Sequence, residues 1–152
     1  MGSISVRKAI ATDLDELSAL FDQYRVFQGK KSDLQAAKVF LQHRLERAES
    51  VVFMAHEGSV PLGFAQLYPS FSSTSLARVF ILNDLFVHAN GRRKGVASKL
   101  LAALEAYAWS EKASRVTLNV AMDNPQAQAL YEAKGWSRDA QFFMYHRFPA
   151  VA

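Results

Sequence analysis

The densest charge in the chain is Arg92-Arg93-Lys94, and small residues follow it at once: Gly95-Val96-Ala97-Ser98. Such a stretch binds anions when it leads into a helix. The amides of a first helical turn lack carbonyl partners, and the helix dipole adds partial positive charge. Gly95 and Ala97 let phosphate oxygens approach the backbone, and the three cations supply counter-charge. This is chemistry for a pyrophosphate. It is not the P-loop, which ends in Gly-Lys-Ser/Thr, nor the Gly-x-Gly-x-x-Gly dinucleotide fingerprint. A basic triplet by itself is more often a solvated loop. Two further features carry reactive groups: Asn83-Asp84, which breaks a long apolar run, and Tyr131, seven residues beyond Asn124.

The elements around these residues follow from periodicity. Ile4 to Ala9 reads as a short strand. Thr12 or Asp13 caps a helix with Leu14, Leu17, Leu20, Phe21 and Tyr24 on one face. Ser32 with Gln35 matches a capping box, and Leu34, Ala37, Leu41, Leu45 and Ala48 line the helix behind it. Val51 to Glu57, a turn at Glu57-Gly58-Ser59, and Leu62 to Tyr68 suggest a hairpin. The serine-rich stretch Ser70 to Ser75 reads as a loop. Leu76 to His88 suits a central strand covered on both faces. After the basic loop comes a helix with Ala97, Leu101, Leu104 and Ala108 on one stripe, then a strand over Arg115 to Val120. Asn124-Pro125 starts a helix that Gly135 stops, and Gln141 to Phe148 reads as a last strand. The expected order is β-α-α-β-β-β-α-β-α-β, an α/β protein forming one domain over residues 1–152.

Arg92-Arg93-Lys94-Gly95-Val96-Ala97 resembles the Arg/Gln-x-x-Gly-x-Gly/Ala signature of GNAT N-acetyltransferases. Asn124-Pro125-Gln126-Ala127-Gln128-Ala129-Leu130-Tyr131-Glu132-Ala133-Lys134-Gly135-Trp136 resembles the same superfamily's Asn-x-x-Ala-x-x-Leu-Tyr-x-x-x-Gly-Phe block, with Trp136 for Phe. The resemblance is close from Leu76 to Trp136. It implies a mixed central sheet flanked by helices, with splayed central strands. It also implies acetyl-CoA as cofactor, its pyrophosphate wrapped by Arg92 through Ser98. The backbone of Leu85, Phe86 and Val87 would pair with the pantetheine arm, Asn124 would line the cofactor site, and Tyr131 would protonate the leaving thiolate.

The resemblance further implies direct transfer to an amine that must first lose a proton, so a base belongs near the splayed strand. The strand looks like that of polyamine and histone-type relatives, in which spermidine acetyltransferases carry a glutamate where Asn83 stands. Two assignments stay open: Asp84 as base, or Asn83 holding a relaying water; His88 is a further candidate, although a histidine at a strand end is more often a surface residue. Alternate strand residues face opposite ways, so both serve one site only if a bulge intervenes. Read structurally, Asp84 is a carboxylate bonded to backbone or to an arginine. By the same family analogy Tyr24, Arg25, Phe27, Gln28, Tyr68 and Phe71 frame the acceptor: a small amine such as an amino acid or polyamine-like molecule, or a lysine side chain.

Composition bounds the alternatives. The net charge of +4 is spread along 152 residues, which favours a local phosphate site over a nucleic-acid face. There is no cysteine, hence no thiolate nucleophile, and histidines 43, 56, 88 and 146 lack metal-ligand spacing, so no metal is expected. No membrane segment or secretory pattern is expected, and a cytoplasmic setting follows by default. A homodimer is expected only by analogy with relatives. The competing function is a non-catalytic acyl-CoA-binding regulatory module, which would keep the loop and lose the chemistry.

Overall fold

The computed structural model describes residues 2–151. They divide into two compact units, the second beginning at Val120. In the first unit, β1 (Ile4–Lys8), α1 (Leu14–Phe27), α2 (Leu34–Glu46), β2 (Val51–Glu57), β3 (Val60–Ser72), β4 (Ala77–Val87), α3 (Val96–Ser110) and β5 (Val116–Leu118) follow in that order. The strands form one sheet, β1-β2-β3-β4-β5, antiparallel except for the parallel β4–β5 pair.

Helices cover both faces, which is why β2 and β4 read as nearly unbroken apolar runs. Successive residues of β2 show the division. Met54 packs with Leu17, Leu20, Phe21 and Leu41 of α1 and α2. Phe53 meets Tyr107 of α3 instead, ring centroids 5.7 Å apart, and Phe80 of β4 joins it there at 5.6 Å. Leu100, Leu101, Leu104 and Ala108 form the buried stripe of α3. At 25 cal/mol per Å², each such leucine contributes about 2 kcal/mol of burial.

Several expected ends shift. The structure places Asp33, not Ser32, at the α2 cap, where its side chain accepts from the Ala36 amide at 3.1 Å. Ser32 Oγ is already used: it donates to Asp22 at 2.6 Å, and Asp22 also accepts from the Asp33 amide at 2.8 Å. The expected loop over Ser70 to Ser75 shortens, because Ser70, Phe71 and Ser72 pair with Val79, Arg78 and Ala77.

Asp13 precedes α1 but caps no amide of it. Its carboxylate grips Arg7 through two bonds of 2.6 and 2.7 Å and accepts from the Ile10 amide at 2.8 Å, tying β1 to α1. The hydrogen bonds from Arg7 hold its pKa down at about 2, against an ordinary 3.8. A depressed carboxylate stabilises the fold above the unfolded pKa and loses that contribution as pH falls through the folded one. Arg7 is half exposed, so screening leaves about 1–2 kcal/mol. Asp13→Asn is expected to melt several degrees below the parent at pH 7. Thermal melts across pH check the sign: the gap should close between about pH 4 and pH 2.

In the second unit, α4 (Pro125–Ala133) starts and stops where its sequence signals lie. The segment Gln141 to Phe148, expected as a strand, forms none. A strand exists through ladder bonds to a neighbour, and these residues pair with no strand among those described. Their apolar side chains, Phe142, Phe143, Tyr145 and Phe148 among them, are exposed.

Candidate active site

The middle of β4 departs from simple alternation. Cross-strand partners share a face, and Tyr68 pairs with Ile81 while Gln66 pairs with Asp84. Tyr68 and Gln66 are two apart and lie on one face. Ile81 and Asp84 are three apart, so β4 carries one extra residue against β3, and the register shifts there. This is a bulge at Asn83. It brings Asn83 and Asp84 to one side of the strand, which strict alternation forbids. Asn83 Nδ2 donates to Asp84 Oδ1 at 3.1 Å.

Asp84 is buried and its other oxygen accepts from Gln66 Nε2 at 2.8 Å. Neither bond comes from an arginine or the backbone, so the structural expectation for Asp84 is replaced by an amide pair. Gln66 is fully buried, and its Oε1 has no partner among the described residues. Tyr68 follows on the same face. Burial, aided by the Asp84 charge, pushes its phenol up to about 12, so it stays neutral across the physiological range.

The parallel ladder between β4 and β5 ends at Leu82–Leu118, one residue before the bulge. Residues 84–87 pair with β3 alone, and among the described residues no strand covers their other edge. A bulge bends its strand and increases twist, which accounts for the divergence. Leu85, Phe86 and Val87 therefore present a free backbone edge that leads directly into the basic loop. Phe86 turns its ring toward Tyr24 and Phe27 of α1, at 6.0 and 6.3 Å.

The loop ends in an uncapped helix. No side chain bonds the first turn of α3, and the first intrahelical bond runs from the Lys99 amide to Gly95 O at 3.1 Å. The amides of Val96, Ala97 and Ser98 precede it and remain available. Arg93 and Gly95 have left-handed backbones, φ 62° and 75°. Such backbone turns successive amides toward a common concave side. A Cβ placed on Gly95 would meet no atom within 4 Å, so the space at the helix start is open. The cations are arranged unequally. Lys94 Nζ is held by Glu57 at 3.1 Å, and the Arg92 guanidinium stands 6.0 Å from the Phe27 ring centre. Arg93 is exposed, without an ion-pair partner among the described residues. Uncapped amides, room at the backbone and a free guanidinium fit a pyrophosphate group.

Tyr131 belongs to the second unit. Asn124 Oδ1 accepts from the Ala127 amide at 3.2 Å, so Asn124 caps α4. At the other end the Trp136 amide bonds Tyr131 O at 3.0 Å and the Gly135 amide bonds Glu132 O at 3.1 Å. This Schellman closure needs the left-handed Gly135, φ 93°, and sets Trp136 against Tyr131 with ring centroids 5.9 Å apart. The Tyr131 ring is thereby oriented from its own helix end. Burial raises its phenol above the ordinary value, which keeps the proton on the oxygen at neutral pH.

Reading the sequence passed over Gln66. The signal was present: one amide inside the apolar run Leu62 to Tyr68, opposite the polar break at Asn83-Asp84 in the next strand. A polar side chain within a strand covered on both faces needs a partner, and each break supplies the other's.

Residues 14–136 match the sequence profile of the family described as Acetyltransferase (GNAT) family. The uncharacterized N-acetyltransferase YhfO of Bacillus subtilis (strain 168) is 44% identical over 93% of this chain and 95% of its own. A crystal structure described as a probable acetyltransferase is 39% identical, covers 97% of this chain and 99% of its own, and superposes with a TM-score of 0.91. The aminoglycoside N-acetyltransferase AAC(6')-Iy, solved in complex with CoA, shares the fold at 20% identity. Its TM-score is 0.81, with 97% of this chain and 96% of its own covered.

Proposed function

The chain belongs to the acetyltransferase (GNAT) family, and from that premise we propose that it transfers acetyl directly to the primary amine of a small molecule. It is an acetyl-CoA-dependent N-acetyltransferase. The family match runs through both compact units, which supports reading residues 1–152 as one catalytic domain.

One observation carries the assignment of roles: the β4–β5 ladder ends one residue before the Asn83 bulge, and the free edge leads to the uncapped start of α3. The amides of Val96, Ala97 and Ser98, with Arg92, Arg93 and Lys94, would hold the pyrophosphate. Leu85, Phe86 and Val87 would offer backbone bonds to the pantetheine arm. Acetyl-CoA supplies an activated acyl group, and the chain manages protons. An ammonium has no lone pair, so the acceptor must surrender a proton, and Asp84 is the proposed base. Tyr131, protonated at neutral pH, is the proposed donor to the departing thiolate. Asn124 serves as the cap that starts the Tyr131 helix.

The acceptor surroundings on α1 and β3 are aromatic and polar: Tyr24, Phe27 and Tyr68 stand among them, with Arg25 at the end of α1. That set suits a small amine carrying its own anionic or polar group better than a polycation, which several carboxylates would recognise. Thiol release from acetyl-CoA over amino acids, aminoglycosides, polyamines and a lysine peptide tests this. Saturable release with an amino acid is expected, and with the polycationic aminoglycosides and polyamines it should be weaker. Release with the peptide alone would contradict it, and binding without release on any amine would favour the regulatory module.

A further inference from the structure

We propose that Gln66 is a positioning residue that follows the charge on Asp84 by turning over its side-chain amide. The inference rests on reading Asp84 as the base. Gln66 is fully buried at the centre of β3, directly opposite Asp84, with Nε2 2.8 Å from Asp84 Oδ2. As drawn by this bond, the amide N–H stabilises an ionised carboxylate. The same geometry leaves Gln66 Oε1 buried without a donor. An orphaned buried acceptor is unfavourable, and native structures rarely retain one without reason.

The orphan has a use once Asp84 takes up a proton. A carboxylic acid presents O–H as a donor, and an N–H facing that hydrogen then becomes the wrong partner. Rotation of the Gln66 amide by half a turn exchanges its two ends. Oε1 then accepts from the protonated Asp84, and the bond is kept in both states. The two ends of an amide are nearly equal in size, so the exchange needs no repacking of the core. Asn83, bonded to the other oxygen at 3.1 Å, is itself exposed. The charged or titratable groups facing this cluster are Tyr68 on β3, neutral up to about 12, and Arg44 of α2, which acts on Tyr68. Neither is placed to exchange a donor for an acceptor at Asp84 Oδ2. Gln66 is the buried amide that gives Asp84 Oδ2 a partner before and after proton uptake.

The test uses Gln66→Met, close in size and unable to donate, and Gln66→Glu, which sets a second carboxyl against Asp84. Removing the N–H disfavours the ionised form, so the acid limb of the kcat/KM–pH profile should move to higher pH. For the methionine variant the expected shift is about half to one pH unit, the excess of the charge-assisted bond over the neutral one that replaces it. For the glutamate variant it should be larger, because two adjacent carboxyls share a proton. A rate lowered equally at every pH, with the limb unmoved, would overturn the proposal. Asp84→Asn separates this from the underlying reading: an unaltered profile in that variant removes Asp84 as base. The carboxyl-carbon NMR titration of Asp84 without acetyl-CoA then decides for Gln66 independently of turnover. Midpoints that coincide in the parent and Gln66→Met refute the positioning role, and an upward displacement supports it. Should the methionine variant fail to fold, the glutamate variant gives the same two readouts.

Discussion

Tyr131→Phe is expected to lower kcat by about a hundredfold while leaving the affinity for acetyl-CoA within a factor of about two. General acid catalysis contributes ~10²–10⁴ in rate, and phenylalanine deletes only the proton donor. The substitution retains the ring that meets Trp136, and the Schellman closure at Gly135 uses backbone groups alone, so the fold of α4 should persist. The raised pKa adds a pH signature. Besides the acid limb that Asp84 sets, the parent should lose activity on the alkaline side, above the ordinary tyrosine value, and the variant should lack that alkaline limb. Steady-state kinetics with calorimetric binding would read all three quantities. Unchanged kcat would remove the assigned role from Tyr131.

Gly95→Val should weaken acetyl-CoA binding by about a hundredfold. Two effects combine. A β-branched residue at φ 75° carries left-handed strain of ~1–2 kcal/mol, because its Cβ crowds the backbone. Its methyl groups would also occupy the open space at the start of α3, where phosphate oxygens must approach the amides of Val96 and Ala97. Losing two charge-assisted hydrogen bonds at roughly 1.5 kcal/mol each corresponds to that hundredfold. No protein atom lies within 4 Å of the new Cβ, so the fold should survive with a melting temperature about 5 °C lower. Parent-like affinity in a folded Gly95→Val protein would show that the phosphates bind elsewhere.

The parts of the fold that could be read in the sequence are those set by local chemistry. Asn124-Pro125 and Gly135 mark the ends of α4 because capping and left-handed backbone are properties of single residues. The basic loop between β4 and α3 was legible for the same reason. Features set by pairing were less so. Ser32 and Asp33 can both cap, and only the distant Asp22, by engaging Ser32, decides between them. Gln141 to Phe148 has strand composition, yet a strand needs a partner that composition does not specify. The bulge at Asn83 is a relation between two strands, visible in sequence only as a polar break. Alternation within β4 alone therefore puts Asn83 and Asp84 on opposite faces, when the extra residue places them on one. Gln66 went unnoticed because its meaning lies in what stands opposite it, and that too is a matter of register.

The uncapped start of α3 and the loop before it are expected to grip the pyrophosphate of acetyl-CoA. Calorimetric titration of the protein with acetyl-CoA, set against acetyl-pantetheine, which keeps the thioester arm and lacks the pyrophosphate, tests it most directly. Saturable binding of acetyl-CoA is predicted, with acetyl-pantetheine weaker by at least about a hundredfold, the worth of two charge-assisted bonds. Equal affinity for the two ligands, or no binding of acetyl-CoA, would contradict the assignment of Arg92 through Ser98.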